Sequence, residues 1–287
     1  MLRSHFGIEK NPFDSKNISL LSHQQEVLDT INVHSQQGGF CVLAGEPGTG
    51  KTVIRNAIMT QDTKRYITPC VSRTLHTYSN IINILCEAFD IENKGRFVAK
   101  KEKKLIETAR AIHAKGKMLI TTIDDAHLMD IECMRRLRLL FDEFPKNHNL
   151  LLIGQPELLG MLRMRINEDI RGRITYSVTL RKLNHEQIKD YIFAQLDTIA
   201  LAHSTFTDEA LDLICRSSEG ILRRTRNLCV SALIEAVRDH TQTVDLDQVN
   251  RVLMQPHWML LTMLSSYNLI VFFKIKSVFC TVLLWQK

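Results

Sequence analysis

Eight consecutive residues match the pattern G-x-x-x-x-G-K-[ST]; they are Gly45, Glu46, Pro47, Gly48, Thr49, Gly50, Lys51 and Thr52. A glycine-rich loop of this kind can wrap a phosphate in backbone N–H groups, helped by the positive end of the helix that follows it. The lysine would reach the β- and γ-phosphates, and the threonine hydroxyl would bind Mg²⁺. A chance match in a glycine-rich turn is the alternative. However, an apolar run precedes the motif and a helical pattern follows it, so the sequence predicts a site for ATP and Mg²⁺.

Two adjacent carboxylates follow another short apolar run, MLITTI at residues 118–123. In an open α/β sheet, ligands bind beyond the carboxyl ends of the strands. Asp124 is therefore predicted to assist Mg²⁺ binding from outside the directly coordinated ligands, and Asp125 to polarise the attacking water. The alternative for Asp125 is that it only caps the next helix.

Strand-like and helical patterns alternate from about residue 38 to residue 183. The strand-like runs are at 39–44, 66–71, 118–123, 150–153 and 174–180, and the helical runs between them are at 53–59, 78–89, 104–113 and 134–144. Strands separated by helices indicate a parallel sheet with right-handed crossovers. After this stretch the patterns are only helical, with predicted caps at Asn184, Thr207 and Asp245. We therefore expect an α/β nucleotide-binding domain of the P-loop type at 1–183 and a small all-helical domain at 184–257.

The final segment, residues 258–287, breaks this pattern. It is rich in Leu, Val, Phe and Met, but Lys274 and Lys276 interrupt it. Its longest uncharged part, residues 258–273, is shorter than the ~20 residues of a membrane-spanning helix. Three interpretations are a membrane-associating tail, a strand packed on the body, and sequence altered by a change of reading frame. We favour the third, because the helix caps and polar faces found upstream are missing here.

Composition limits the class of protein without selecting one function. A hydrophobic fraction of 45% and a charged fraction of 24% are typical of a globular chain and exclude a disordered one. The net charge of +6 favours contact with a polyanion but does not require it. The seven cysteines contain no C-x-x-C pair, and residues 1–13 lack the apolar stretch of a signal peptide. These features predict a reducing compartment, the cytoplasm.

Five further segments stand in a fixed order around these motifs: FGI at 6–8 with NPF at 11–13, IDDAH at 123–127, LIGQPEL at 152–158, GILRR at 220–224 and NLC at 227–229. Together with the phosphate loop they resemble the motifs of AAA+ ATPases. The resemblance is to the branch typified by ExeA-like secretion ATPases and transposon-encoded helper ATPases, and it spans roughly residues 2–258. It implies an AAA+ core followed by a helical lid.

The resemblance also implies roles for single residues. Gln155 would be the sensor-1 polar group near the γ-phosphate, and Arg223 would be sensor 2 in the lid. Arg171 or Arg173 would be an arginine finger that acts on the ATP of a neighbouring copy, so the active unit would be a homo-oligomer; a surface salt bridge is the alternative for each. The family usually has Glu where this chain has Asp125. Because the shorter side chain would misplace the water, we expect slow hydrolysis and unaffected ATP binding.

The resemblance leaves two biological functions open for the ATPase. The secretion proteins are expected to carry a membrane span and a cell-wall-binding domain after the ATPase, and about thirty residues are too few for such a domain. The expectation is therefore a transposon helper that assembles on double-stranded DNA and assists a transposase. Arginines that could contact phosphates are Arg135, Arg136, Arg138, Arg163, Arg165, Arg171 and Arg173. The alternatives are a secretion ATPase with an envelope partner and an ATP-gated binding module with little hydrolysis.

Overall fold

The structure is a computed structural model that describes residues 1–10, 12–13, 20–60, 64–72, 77–91 and 97–258. These residues divide into two compact units. One unit comprises the described residues between 17 and 182, and the other combines those up to 16 with those from 183 onward. The predicted tail at 258–287 lies outside the described residues, apart from Trp258.

A parallel sheet forms the centre of the first unit. Its described strands are β1 (Gly39–Ala44), β2 (Tyr66–Ile67), β3 (Cys70–Val71), β4 (Met118–Ile123), β5 (Asn149–Gly154) and β6 (Ile174–Thr179). The strand order is β2-β4-β5-β1-β6, and β3 also pairs with β4. Every one of these pairings is parallel. The predicted fold class, a parallel α/β sheet with crossovers, is confirmed.

The predicted strand at 66–71 is two short strands in the structure. Tyr66 is aligned with Met118 and Cys70 with Thr122, so both pieces pair with β4. Pro69 lies between them and has no N–H to donate, although its carbonyl oxygen accepts the Thr122 N–H at 2.9 Å. The proline therefore interrupts the strand without detaching it from the sheet.

Helices cover both faces of the sheet. They are α2 (Ser22–Ser35), α3 (Lys51–Met59), α4 (Tyr78–Ala88), α5 (Val98–Ala114), α6 (Ile131–Asp142), α7 (Glu157–Arg163) and α8 (Glu168–Arg171). Alternate residues of β1 point to opposite faces: Cys41 and Leu43 pack with α2 and α3, while Phe40 and Val42 pack with α4, α5 and α6. The sheet is thus the middle of three layers, and its strands β1, β4 and β5 are buried on both faces, whereas alternate residues of β6 are exposed.

The second unit is all-helical in its described part. Its helices are α1 (Leu2–Phe6), α9 (His185–Asp197), α10 (Asp208–Ser217), α11 (Leu222–Arg238) and α12 (Leu246–Leu253). The three predicted caps are confirmed. Asn184 Oδ1 accepts the Gln187 N–H at 2.8 Å, Thr207 Oγ1 accepts the Ala210 N–H at 3.2 Å, and Asp245 Oδ1 accepts the Asp247 N–H at 2.9 Å.

The amino terminus belongs to the helical unit, whereas the sequence placed residues 1–16 in the α/β domain. His5 Nε2 donates to the Thr241 carbonyl oxygen at 2.7 Å, and the ring of Phe13 packs 6.3 Å from that of Tyr191. The helical unit resumes at Leu183, whose N–H donates to the Gly220 carbonyl oxygen at 2.9 Å. From the sequence, the amino terminus was assigned to the α/β domain because it precedes that domain in the chain. In the structure Phe13 is buried, and it belongs to the helical unit.

Within the part of the chain that the structure describes, no helix is both long and apolar enough to cross a membrane. The cysteines found there are free thiols; they are Cys41, Cys70, Cys86, Cys133, Cys215 and Cys229.

One histidine lies in the core of the α/β unit. His148 stacks on the ring of Phe141 at 4.6 Å and meets the ring of Phe144 edge-on at 4.9 Å. Its Nε2 lies 3.0 Å from Thr121 Oγ1. Burial disfavours the charged imidazolium and lowers the pKa of His148 to about 3.

This burial predicts a loss of stability in mild acid. The unfolded chain binds a proton at His148 near pH 6.5, whereas the folded chain does so only near pH 3, so stability present above pH 6.5 is lost as the pH falls. Between pH 7 and pH 5 we expect His148 to cost about 2 kcal/mol of unfolding free energy. Urea unfolding at both pH values measures this cost. His148→Gln, which can still bond Thr121, should remove that share of the difference, and His113→Gln on the exposed end of α5 should not. An equal pH difference in His148→Gln would contradict the assignment.

Candidate nucleotide site

The phosphate loop joins β1 to α3 at the carboxyl edge of the sheet. Gly48 and Gly50 have φ values of 87° and 102°, in the left-handed region that favours glycine. The Gly45 N–H donates to the Gly154 carbonyl oxygen at 3.2 Å, which ties the start of the loop to the end of β5. The predicted strand, loop and helix are therefore all present.

Lys51 is buried within this loop, with 9% of its surface exposed. Its Nζ donates to the carbonyl oxygens of Gly45 at 2.6 Å and Glu46 at 2.9 Å. Thr52 follows in the first turn of α3 and is exposed. The lysine charge and the threonine hydroxyl thus lie at the amino-terminal end of α3, where the helix dipole also favours an anion.

Asp124 leaves β4 at the same edge of the sheet. Its N–H donates to the Val71 carbonyl oxygen at 2.9 Å, which continues the pairing with β3. Its Oδ1 accepts the Asp125 N–H at 3.0 Å, and its Oδ2 forms an ion pair with Arg55 Nη1 at 2.5 Å. The side chains of Arg55 and Asp124 are 18% and 13% exposed. The predicted metal acid is therefore sheltered and already paired with a cation.

Asp125 has an exposed side chain and a left-handed backbone, with φ 52°. It precedes the short 3-10 helix Ala126–Leu128 but makes no side-chain capping hydrogen bond to it. The next long helix, α6, is capped by Asp130, whose Oδ1 accepts the Cys133 N–H at 2.6 Å. A non-glycine residue in this conformation is uncommon, and such residues concentrate at functional sites. The described hydrogen bonds give no support to a capping role for Asp125.

Gln155 follows β5, which lies between β1 and β4. Its backbone N–H donates to His127 Nδ1 at 3.4 Å. This places Gln155 beside the loop that carries the two acids, while the contact between Gly45 and Gly154 places it beside the phosphate loop. The structure thus brings together the phosphate loop, Asp124, Asp125 and Gln155.

The predicted arginine fingers lie at the other edge of the sheet. Arg171 and Arg173 precede β6, whose first residue is aligned with the start of β1. The length of this six-residue strand, about 20 Å, separates them from the carboxyl edge. Arg171 Nη2 lies 3.6 Å from Glu168 Oε1, and Arg173 Nη1 and Nη2 each lie 3.3 Å from a carboxylate oxygen of Asp142. Neither arginine reaches the phosphate loop of its own chain. Both form surface ion pairs, which the sequence analysis gave as the alternative to a finger role.

Arg223, the predicted sensor 2, lies in the first turn of α11 in the helical unit, and it is exposed.

Three residues near the site were missed by the sequence reasoning. Arg55 follows Lys51 by four residues, so the helical period alone places both on one face of α3. His127 was part of a quoted motif but received no role. Lys182 Nζ contacts Glu46 Oε2 at 3.0 Å, and no sequence pattern links these two residues. Of these three residues, only Arg55 could have been recognised from the sequence, by its spacing of four residues from Lys51.

The donor set fits a magnesium ion held together with phosphates. Mg²⁺ usually binds one or two carboxylates or hydroxyls and completes its shell with water and phosphate oxygens. Thr52 and Asp124 supply this kind of donor, and no group of three or more His, Cys, Asp or Glu residues suited to a metal occurs in the described ranges. Cys70 lies close to Asp124, but burial raises the pKa of its thiol, opposed by the nearby Arg55.

The family model described as "AAA domain" matches residues 33–162, which include the phosphate loop, both acids and Gln155. The chain therefore contains an AAA domain. It is 31% identical over 246 residues to general secretion pathway protein A of Aeromonas hydrophila. The match covers 82% of this chain and 45% of that relative, so the chain spans less than half of the relative's length.

Solved AAA+ structures share the fold at low sequence identity. Cdc6p from Pyrobaculum aerophilum superposes with a TM-score of 0.62 and 16% identity, covering 84% of this chain and 68% of that one. The Aeropyrum pernix ORC1 protein in complex with DNA gives a TM-score of 0.64 and 15% identity, covering 83% of this chain and 66% of that one. The RuvB Holliday junction branch migration motor of Thermotoga maritima gives a TM-score of 0.53 and 15% identity, covering 85% and 72%. These similarities establish the fold and no more.

The close packing at Gly45 predicts a selective loss of nucleotide binding. A Cβ at this position would lie 2.8 Å from Thr49 Oγ1 and 3.2 Å from Leu180 Cβ. The strain, about 1–3 kcal/mol, would displace the loop, so Gly45→Ala should bind ATP roughly ten- to hundredfold more weakly by calorimetry. Gly160→Ala is the matched control, since a Cβ there meets nothing within 4 Å. It should keep wild-type ATP affinity and gain about 0.5–1 kcal/mol of stability on α7. Equal ATP affinity in the two variants would contradict the loop geometry.

Proposed function

We propose that this AAA+ protein is a Mg²⁺-dependent ATPase that assembles with itself on double-stranded DNA and assists a transposase. The observation that supports hydrolysis is the grouping of Lys51, Asp124, Asp125 and Gln155 at the carboxyl ends of β1, β4 and β5. Pairing of β5 with both neighbours creates that grouping from three distant parts of the chain. A phosphate-binding loop alone would support binding only.

Each residue of the group has one task in this proposal. The loop N–H groups and Lys51 hold the phosphates, Thr52 binds Mg²⁺, and Asp124 assists the metal ion from outside its directly coordinated ligands. The metal ion, when bound, neutralises charge that develops on the β- and γ-phosphate oxygens. Asp125 accepts a hydrogen bond from the attacking water and orients it toward the γ-phosphate. Gln155 donates to the γ-phosphate or to that water, which fixes their separation.

The short side chain of Asp125 sets the expected rate. Its carboxylate lies about one methylene closer to the backbone than that of a glutamate would. Since small displacements of a reacting group can cost ~10²-fold in rate, turnover should be slow while binding stays intact. The left-handed backbone of Asp125 changes the direction of its side chain, and the exposure leaves room for a water molecule beside it.

Self-assembly is supported by the position of the two candidate fingers. Because they lie about 20 Å from the carboxyl edge, they can act only on the site of another copy. Arg171 has one long contact with Glu168, a side chain that is 70% exposed, and such a pair is worth little. Arg173 is held by two contacts with Asp142. Arg171 is therefore the better candidate for the finger.

DNA binding is supported by exposed arginines near the same region. Arg163 and Arg165 are exposed and form no ion pair with another described residue. The remaining predicted arginines are engaged: Arg135 donates to the Ile166 carbonyl oxygen, Arg136 lies over the Tyr78 ring, and Arg138 faces Asp142 and Asp169. A fold neighbour, the Aeropyrum pernix ORC1 protein, is in complex with DNA. The transposase partner depends on the resemblance of the motifs to those of transposon helper ATPases.

A secretion role is the second candidate, favoured by the 31% identity to general secretion pathway protein A. The same ATP site would then drive assembly on an envelope partner in place of DNA. An ATP-gated binding module with little hydrolysis is a third possibility, favoured by Asp125. Turnover measurements with and without DNA separate the three.

We expect ATP turnover at low salt to rise when double-stranded DNA is added and to vanish in Lys51→Ala, because the lysine contacts the phosphates. Asp125→Glu should increase turnover by about tenfold or more, since the longer side chain moves the carboxylate toward the water. Its ATP affinity should match that of the wild type. A phosphate-release assay measures turnover.

Turnover that is present but indifferent to DNA would contradict the DNA role and favour the secretion candidate. Tight ATP binding with turnover only in Asp125→Glu would favour the binding module.

The finger assignment predicts complementation between two inactive variants. Arg171→Ala should lose about 10³-fold in turnover, and Lys51→Ala should be inactive. A mixture of the two should recover measurable turnover, because the intact arginine of one variant can act on the intact phosphate loop of the other. Arg173→Ala is the matched control and should lose far less. No recovery in the mixture, at concentrations where the wild type is active, would contradict a finger at Arg171.

A further inference from the structure

Both carboxylate oxygens of Asp124 are engaged by donors of the chain itself. The Asp125 N–H contacts Oδ1, and the Arg55 guanidinium contacts Oδ2 at 2.5 Å. The guanidinium carries a full positive charge. The charge of Asp124 is therefore already compensated by a cation in the place where a metal ion would provide the same compensation.

The guanidinium has a second anchor on the opposite side. Asn56 Oδ1 accepts from Arg55 Nη2 at 2.9 Å and from Arg55 Nε at 3.3 Å. Asn56 is exposed and lies on the same helix, so this anchor does not depend on Asp124. Arg55 can give up its contact with Asp124 and still keep two hydrogen bonds. A cation held in this way can exchange with another cation at little cost.

The helix places this arginine beside the phosphate-binding lysine. Lys51 and Arg55 are separated by four residues on α3, which puts them one turn apart on the same face. Lys51 Nζ is bound inside the phosphate loop, and Arg55 contacts the acid at the end of β4. The two charges thus have separate partners, the loop and the acid, and Arg55 is not needed to hold the loop in place.

We propose that Arg55 sets the Mg²⁺ requirement of the nucleotide site by competing with the metal ion for the Asp124 carboxylate. This inference rests on the proposed Mg²⁺–ATP site and adds a regulatory step to it. In the absence of Mg²⁺, the ion pair with Arg55 neutralises Asp124. This pairing lowers the repulsion between the carboxylate and the phosphates of bound ATP. Asp124 would be available to Mg²⁺ only if Arg55 gave up its contact with the carboxylate and kept those with Asn56. Arg55 is a positioning residue: it acts through Asp124 and does not touch the reacting atoms.

Removing the arginine charge should therefore change two binding constants in opposite directions. Loss of an opposite charge at contact distance is expected to change the Mg²⁺ affinity of the carboxylate by about tenfold. In Arg55→Met, the Mg²⁺ concentration that gives half-maximal ATP binding should fall about tenfold. In the presence of EDTA, the same variant should bind ATP several-fold more weakly than the wild type. A merely structural role for Arg55 would weaken binding in both conditions.

The experiment measures binding and does not depend on turnover. Fluorescence of a methylanthraniloyl derivative of ATP is titrated with the full chain at a series of Mg²⁺ concentrations and in EDTA. Arg55→Lys keeps the charge and should stay within about twofold of the wild type. Arg110→Met is the matched control, because it removes an exposed arginine paired with Glu143 at 3.7 Å, near the end of α5. Far-UV circular dichroism verifies that each variant is folded.

An unchanged or increased Mg²⁺ requirement in Arg55→Met would overturn the inference, and so would an equal shift in Arg55→Lys or Arg110→Met. Should Arg55→Met fail to fold, Arg55→Gln replaces it, with the same expected fall. A wild-type chain that binds no nucleotide at any Mg²⁺ concentration would contradict the nucleotide site itself, and this inference with it. A normal wild-type titration with no shift in the variant would contradict the inference alone.

Discussion

The parallel pairing of β5 with both β1 and β4 is the constraint on which the site depends. Because β5 lies between them in register, the residues that follow the three strands meet at one edge of the sheet. The Gly45 N–H bond to Gly154 and the Gln155 N–H bond to His127 Nδ1 extend this pairing past the ends of the strands. The phosphate loop, the acids and Gln155 are thus connected by backbone hydrogen bonds, and a shift of one displaces the others.

Electrostatic balance within the site comes from pairs that the chain supplies itself. Lys51 is satisfied by loop carbonyl oxygens, Asp124 by Arg55, and Glu46 by Lys182. Sheltered charges are costly unless they are paired or hydrogen-bonded, so the contacts of Lys51 and Asp124 explain how both groups lie at one edge of a sheet, whereas Glu46 and Lys182 form an exposed pair.

Much of the fold could be predicted from the sequence, because buried parallel strands leave long apolar runs and capped helices leave polar residues at fixed offsets. Asn184, Thr207 and Asp245 were identified as caps on this basis. The break at Pro69 was missed since the surrounding residues are apolar and β-branched, a strand-like composition. Placement of the amino terminus with the helical unit was missed as well, because it depends on contacts with Tyr191 and Thr241 that lie far away in sequence.

The site was predictable to the extent that its chemistry lies in contiguous motifs. The phosphate loop and Asp124 each follow a strand whose end can be read from composition. The ion pair between Arg55 and Asp124 joins residues 69 positions apart, and its geometry depends on how α3 packs on the sheet. The contact of Arg173 with Asp142 also depends on tertiary packing. From the sequence, a surface salt bridge was only the alternative to an arginine finger.

The position of Arg171 and Arg173, a full strand length from the phosphate loop, has a consequence for dosage. With a finger at that edge, one copy would supply the phosphate loop of one catalytic centre and the arginine of another. Neither centre would be complete in a single copy. Activity would then grow faster than in proportion to the amount of protein, and dilution would silence it without any inhibitor. The abundance of the chain would itself be the switch, with DNA or another scaffold acting by raising the local concentration.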